Sequence, residues 1–171
     1  MDAYTPSISL CAAHGPQDWE QAAAILAEYG DSLGVDLSFQ SFEREVLDPA
    51  GSYACAEEVF LLAMVDDAVA GCCALRSLLD TSEANACEMK RLYVRPAFRG
   101  FGLGRMLVET LMQRARESGF GTMFVDTLSD MEAARELYTS LGFEPTEPYY
   151  FNPLPGAHYF RVDLDGVVSR Y

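Results

Sequence analysis

The stretch Val94 to Leu107, VRPAFRGFGLGRML, has the makings of an anion site. Gly100, Gly102 and Gly104 leave backbone N–H groups uncovered just ahead of a helical pattern, where a helix dipole adds partial positive charge. Arg99 and Arg105 bracket them with full charges, so a phosphate or pyrophosphate is the natural guest. A Walker loop is unsupported, because Gly104-Arg105-Met106 stands where Gly-Lys-Ser/Thr is required. A dinucleotide fingerprint fits poorly. Arg105 occupies the place of its third glycine, and only Asp126, at the end of the following strand, speaks for it. A glycine turn that simply joins strand to helix would look the same from GxG alone.

The turn must sit between a strand and a helix, and the flanking patterns supply both. Ala86–Val94 reads as a strand. Leu103, Leu107, Leu111 and Ala115 give a helical stripe that runs to about Glu117. The strand's alternation has a fault: Met89 falls on one face, Leu92 and Val94 on the other. A β-bulge near Lys90-Arg91 would explain it, and so would a strand end buried on both faces.

Upstream, Ser7–Ala13 reads as a strand, and a helix opens at Pro16 and Asp18 and runs to about Tyr29, where Gly30 and Gly34 interrupt it. A second helix covers Ser41–Leu47 and stops at Asp48-Pro49. Glu58–Val65 and Ala68–Leu79 form a hairpin about Asp66-Asp67. Downstream come a strand at Thr122–Leu128, a helix at Met131–Leu141, a strand from Phe143, a turn-rich segment from Pro145 to Pro155, and a last strand at His158–Leu164. The crossover between Ala86–Val94 and Thr122–Leu128 is parallel, the early strands antiparallel. The expectation is one α+β domain over residues 1–171, with a mixed, mostly antiparallel central sheet and helices on both faces.

Twelve basic residues against 26 acidic ones give a formal charge of -14, a field that opposes nucleic acid and anionic membrane as partners. The five cysteines, at 11, 55, 72, 73 and 87, form neither a CxxC zinc pattern nor a disulfide framework, so no metal is expected. The N-terminus lacks a secretory pattern and no apolar run spans a bilayer, which makes a reducing cytoplasm the expected location. No GxSxG occurs, and the two histidines, His14 and His158, read as structural.

Arg99-x-x-Gly102-x-Gly104 resembles the acyl-CoA pyrophosphate loop, R/Q-x-x-G-x-G/A, of the GNAT family of N-acetyltransferases. The lead-in EMKRLYVRP, Glu88 to Pro96, resembles that family's fourth strand. AARELYTSLGF, Ala133 to Phe143, resembles its helix with a tyrosine followed by LGF. The resemblance implies a GNAT acyl-CoA N-acyltransferase fold whose fourth and fifth strands splay apart around the pantetheine arm. It implies acetyl-CoA as cosubstrate, gripped by Arg99, Gly100, Phe101, Gly102, Leu103, Gly104 and Arg105 and paired with the backbone of Leu92, Tyr93 and Val94. Acetyl would pass to an amine by direct attack in a ternary complex.

Two residues carry the chemistry in this reading. Tyr138 resembles the tyrosine that protonates the departing thiolate, although its place on an apolar stripe is also that of a core residue. Glu88 resembles a glutamate base acting through water, although it also reads as a charge beside Lys90. Where family members often carry an asparagine after the fifth strand, this chain has Asp126-Thr127. The segments about Gly30–Glu45 and Pro145–Ala157 would border the acceptor. Asp31, Asp36, Glu43 and Glu45 in the first, with Tyr149, Tyr150, Phe151 and Asn152 in the second, would suit a cationic amine, and ordinary exposed loops would show the same composition. A coenzyme A-binding regulatory or interaction protein without turnover is the alternative, and a homodimer is left open.

Overall fold

The computed structural model describes residues 3–165. The apolar run VFLLAMV and the strand after it are buried on both faces, so they become the middle of the sheet. In chain order the elements are β1 (Ile8–Ala12), α1 (Gly15–Leu33), α2 (Phe42–Leu47), α3 (Pro49–Ser52), β2 (Val59–Val65), β3 (Ala68–Ser77), β4 (Ala86–Val94), α4 (Leu103–Glu117), β5 (Thr122–Leu128), α5 (Glu132–Ser140), β6 (Glu144–Pro145) and β7 (Ala157–Asp163). The strands form a seven-stranded sheet in the order β1-β2-β3-β4-β5-β7-β6. Only β4 and β5 run parallel. One core lies between the sheet and α4 and α5, built on Leu107, Leu111, Met123 and Phe143. A second lies under α1, built on Ile25, Leu26, Phe60 and Leu62. Among the described residues no helix is long and apolar enough to cross a membrane.

Three local expectations are corrected. α1 does not stop at Tyr29; it continues through Gly30 to Leu33 and ends on Gly34 in the left-handed conformation. Gly30 is a packing residue there, since a Cβ would come within 2.5 Å of the Phe42 ring. Pro49 does more than end α2: it opens α3, where its missing N–H is no loss, and the Asp48 carboxylate accepts from the Gly51 N–H at 2.9 Å. Phe143 does not begin a strand, because its N–H donates to the Tyr138 carbonyl at 3.0 Å and β6 is only Glu144–Pro145.

The fault in β4 is a bulge. Cys72 pairs with Tyr93 but Ala74 pairs with Lys90, so β4 carries one residue more than β3 across this interval. Arg91 takes φ 61. Lys90 and Arg91 therefore share the α1 side, while Met89, Leu92 and Val94 all pack on the α4 side.

Arg91 is 4% exposed, and its guanidinium is committed to the 2% exposed Glu45 of α2. Arg91 NH2 donates to Glu45 Oε2 at 2.8 Å and Nε to Oε1 at 3.1 Å. The Phe42 ring lies 4.9 Å from the guanidinium carbon, and the Tyr53 hydroxyl donates to Glu45 Oε1 at 2.5 Å. Burial pushes the Glu45 carboxyl up, but the hydrogen bonds and charge of Arg91 outweigh it and hold it below the ordinary glutamate range.

Removing one partner of such a pair strands the other, at a cost of about 3–5 kcal/mol. Arg91→Ala should lower the unfolding free energy by that order in urea titrations at neutral pH. A carboxylate with a lowered folded pKa contributes stability above its unfolded value and loses it as pH falls through the folded one. The gap between wild type and variant should therefore narrow below about pH 4, under the unfolded glutamate pKa of about 4.3.

Candidate active site

A bulged strand bends, and β4 leaves its parallel neighbour soon after meeting it. Pairing covers only Ala86, Cys87 and Glu88 against Thr122, Met123 and Phe124. Past that point β4 and β5 diverge. Tyr93 and Val94 still pair with Cys72 and Gly71 of β3, which leaves the other edge of this part of β4 without a strand partner. The gap runs through the sheet: Tyr138 and Met131 line it from the α5 side, Gln40, Asp126 and Asn152 from the α1 side.

The glycine turn lies just beyond Val94. Gly100 and Gly102 take φ 96 and 75, values that favour glycine, and a Cβ at either would meet no atom within 4 Å. Among the described residues, none of the N–H groups from 100 to 105 finds a backbone acceptor, and Gly102 provides no side-chain cap to α4. The first intrahelical bond is Met106 N–H to the Gly102 carbonyl, at 3.2 Å. The turn therefore fits a diphosphate: uncovered donors at a helix start, with open space above them. Arg99 lies along the rim, its Nε donating to the Val94 carbonyl at 3.1 Å. Arg105 turns the other way, to Ser140 Oγ at 2.7 Å and Glu109 Oε1 at 3.5 Å. Phe101 is 44% exposed, while Leu103 is buried and anchors the first turn of α4.

Tyr138 is held by the end of α5. The Gly142 N–H donates to the Thr139 carbonyl and the Phe143 N–H to the Tyr138 carbonyl, the Schellman closure of a helix. Gly142 supplies the φ of 92 that this closure needs, and the Phe143 ring returns to within 5.5 Å of the Tyr138 ring. LGF is thus a helix stop with its hydrophobic contact. Tyr138 is 3% exposed, yet it lines the gap, and no described residue hydrogen-bonds its hydroxyl. Burial, reinforced by Cys73, Tyr29 and Asp126, pushes the phenol well above its ordinary pKa. It is a protonated phenol at neutral pH.

Glu88 lies on the opposite side of the sheet from Tyr138. It is 5% exposed, with Oε1 2.9 Å from Nζ of Lys90, the chain's single lysine. The contact is an ion pair outside hydrogen-bond alignment, so Oε1 has a counter-ion and no aligned donor. Burial raises the Glu88 pKa; Lys90 works against the rise and Asp126 with it. Two further buried oxygens lack a partner, Thr127 Oγ1 and the Tyr149 hydroxyl. The Tyr149 ring packs 5.0 Å from Phe124, the residue paired with Glu88 across β4 and β5.

The two segments expected to border the acceptor do meet. Gln40 Nε2 donates to the Tyr150 hydroxyl at 3.0 Å, and that hydroxyl donates to Asp126 Oδ2. Asn152 Nδ2 reaches the same Oδ2 at 3.2 Å. The acids of the first segment do not line this place. Glu45 is consumed by Arg91, Asp36 accepts from the Ser38 N–H, and Asp31 and Glu43 stay on the surface. Phe151 is 85% exposed. Gln40, Arg91 and Asp126 were not legible as a set. The one signal was a consecutive Lys-Arg pair inside a strand, which a bulge places on one face.

Residues 19–143 match the profile of the Acetyltransferase (GNAT) family. An uncharacterized N-acetyltransferase of Schizosaccharomyces pombe is 38% identical over 159 residues, covering 92% of this chain and 96% of the relative. One from Dictyostelium discoideum is 28% identical, covering 78% and 88%. Among solved structures, an acetyltransferase of Salmonella typhimurium with its cofactor acetyl-CoA superposes with TM-score 0.71 at 20% identity, over 95% of this chain and 96% of that one. One from Streptococcus agalactiae gives 0.72 at 20% identity, over 90% and 96%. At that identity the two solved structures show a shared fold.

Substitution in the glycine turn separates sterics from charge. Gly102→Ala should cost about 1–2 kcal/mol of stability, because φ 75 suits only glycine well. Gly102→Glu adds bulk and negative charge over the free amides, and should weaken coenzyme A binding at least tenfold beyond the alanine variant. Calorimetric titration of folded samples measures the difference.

Proposed function

Since the chain belongs to the GNAT family of acetyltransferases and acetyl-CoA is its acyl donor, we propose that it passes the acetyl group directly to an amine inside a ternary complex, with Tyr138 and Glu88 as the proton carriers. The observation that carries this reading is the continuity of the gap. The free amides of the glycine turn lie at one end, the unpaired edge of β4 along its side, and the unbonded Tyr138 hydroxyl on its lining.

Acetyl-CoA, when bound, supplies a thioester carbonyl carbon for an amine to attack. Residues 99–105 bind its diphosphate through main-chain N–H groups, with Arg99 at the rim. Leu92, Tyr93 and Val94 present the free edge of β4 to the pantetheine amides, and the Leu92 N–H is our donor to the oxygen where negative charge develops. The attacking nitrogen must first lose a proton. Glu88 takes it through water, and its raised pKa makes it a better base than an exposed glutamate. The leaving sulfur must gain one, and Tyr138 gives it. The buried phenol keeps its proton until a thiolate forms beside it.

The buried cysteines take no part. Burial raises the thiols of Cys72, Cys73 and Cys87, the last to about 12, so none is a thiolate at neutral pH.

Tyr138→Phe should lower kcat for thiol release by about 10²–10⁴-fold, with little change in coenzyme A affinity. Full thiol release by the variant would remove Tyr138 from the mechanism. The pH profile tests the base. Glu88 accepts a proton only when ionised, so kcat/KM should rise with pH through an apparent pKa above the ordinary glutamate value. Glu88→Gln should lower the rate about 10²-fold and abolish that acidic limb.

A further inference from the structure

We infer that Gln40, Tyr150 and Asp126 determine acceptor specificity: Gln40 and Asp126 line the α1 side of the gap, the Tyr150 hydroxyl ties them together, and the bridge restricts the gap to a small free amine, not a lysine on a folded protein. This rests on the transfer reading above.

The bridge joins segments 110 residues apart. Gln40 follows α1, and Tyr150 lies between β6 and β7. Gln40 Oε1 accepts from Arg91 NH1 at 2.7 Å while its Nε2 donates to the Tyr150 hydroxyl at 3.0 Å. The amide has one workable orientation, since the flipped form would set its NH2 against the guanidinium donors. The Tyr150 hydroxyl spends its single proton on Asp126 Oδ2 and accepts from Gln40 and from Asn152 Nδ2, the latter at 3.1 Å. Its hydrogen-bonding capacity is full. Behind Gln40 stands the Arg91–Glu45 pair, so the bridge hangs from an ion pair that is itself almost wholly buried.

The gap that the bridge borders holds a cavity of ≈ 50 Å³ between Gln40, Asp126 and Asn152 on one side and Tyr138 and Met131 on the other. That is space for about four waters, at ~10–15 Å³ each. A lysine side chain would have to thread past Gln40 and Asn152 with a whole protein pressed against Tyr150. A small amine needs only that cavity. The lining matches a short polar cation. Both protein contacts to Asp126 fall on Oδ2, which leaves Oδ1 for an ammonium.

The test is thiol release from acetyl-CoA with primary amines of rising bulk: ethylamine, ethanolamine, a lysine-containing peptide and a folded lysine-rich protein. Wild type should favour the small amines over the peptide by about 100-fold in kcat/KM, the upper range of a shaped pocket. Gln40→Ala and Tyr150→Phe should each shrink that ratio about tenfold while the acetyl-CoA KM moves less than about twofold. Thermal melting checks the fold, and Tyr150→Phe, which keeps the ring, decides the matter if Gln40→Ala does not fold. An unchanged ratio in the folded variants, or wild type acting on the folded protein as fast as on ethylamine, overturns the role of the bridge alone. Absence of thiol release from wild type with every amine overturns the transfer reading, and the role of the bridge with it.

Discussion

The site depends on a buried ion pair. Arg91 and Glu45 hold each other at 2.8 Å with almost no exposure, and Arg91 can reach α2 only because the bulge turns its side chain to the α1 side. A left-handed arginine in a strand is unfavourable by itself, and the structure keeps it because the guanidinium finds a carboxylate, an amide and two aromatic rings there. The same bulge bends β4 away from β5. One inserted residue thus separates the strands, frees an edge of backbone and fixes the place of α2 and of Gln40 beside the gap.

Much of the fold could be read from the sequence, because helical stripes and hairpins are local patterns. The phase fault between Met89 and Leu92 was legible for the same reason, and the structure resolves it as a bulge rather than an end buried on both faces. What escaped was set by tertiary contact. Gly30 reads as a helix breaker until Phe42 is seen lying on it, and Phe143 reads as a strand start until its N–H is seen closing α5. Glu45 reads as one of four acids that would border an acceptor, or as an ordinary loop charge. Nothing near it in sequence announces Arg91, 46 residues on, as its partner. The glycine turn was legible as a row of open donors ahead of a helix, whereas the Gln40–Tyr150–Asp126 bridge needed three distant segments in one place.

The chain's charge of -14 and its affinity for a polyanionic coenzyme are reconciled by scale. Net charge acts over a Debye length of about 8–10 Å and is screened by salt, whereas a row of amides acts at contact. The N–H groups of residues 100–105 stay free of backbone acceptors whatever the distant carboxylates do. The acidic surface and the open turn therefore do not compete.

Lys90 carries a final consequence. It is the chain's only lysine, its side chain is 10% exposed, and its nitrogen is taken up by Glu88. Every other residue among the twelve cationic ones is an arginine, whose guanidinium does not give up its proton near neutrality. An enzyme that works beside a reactive thioester thus carries a single side-chain amine of its own, and that amine is held in an ion pair. Self-acetylation on lysine therefore has no freely exposed site in this chain.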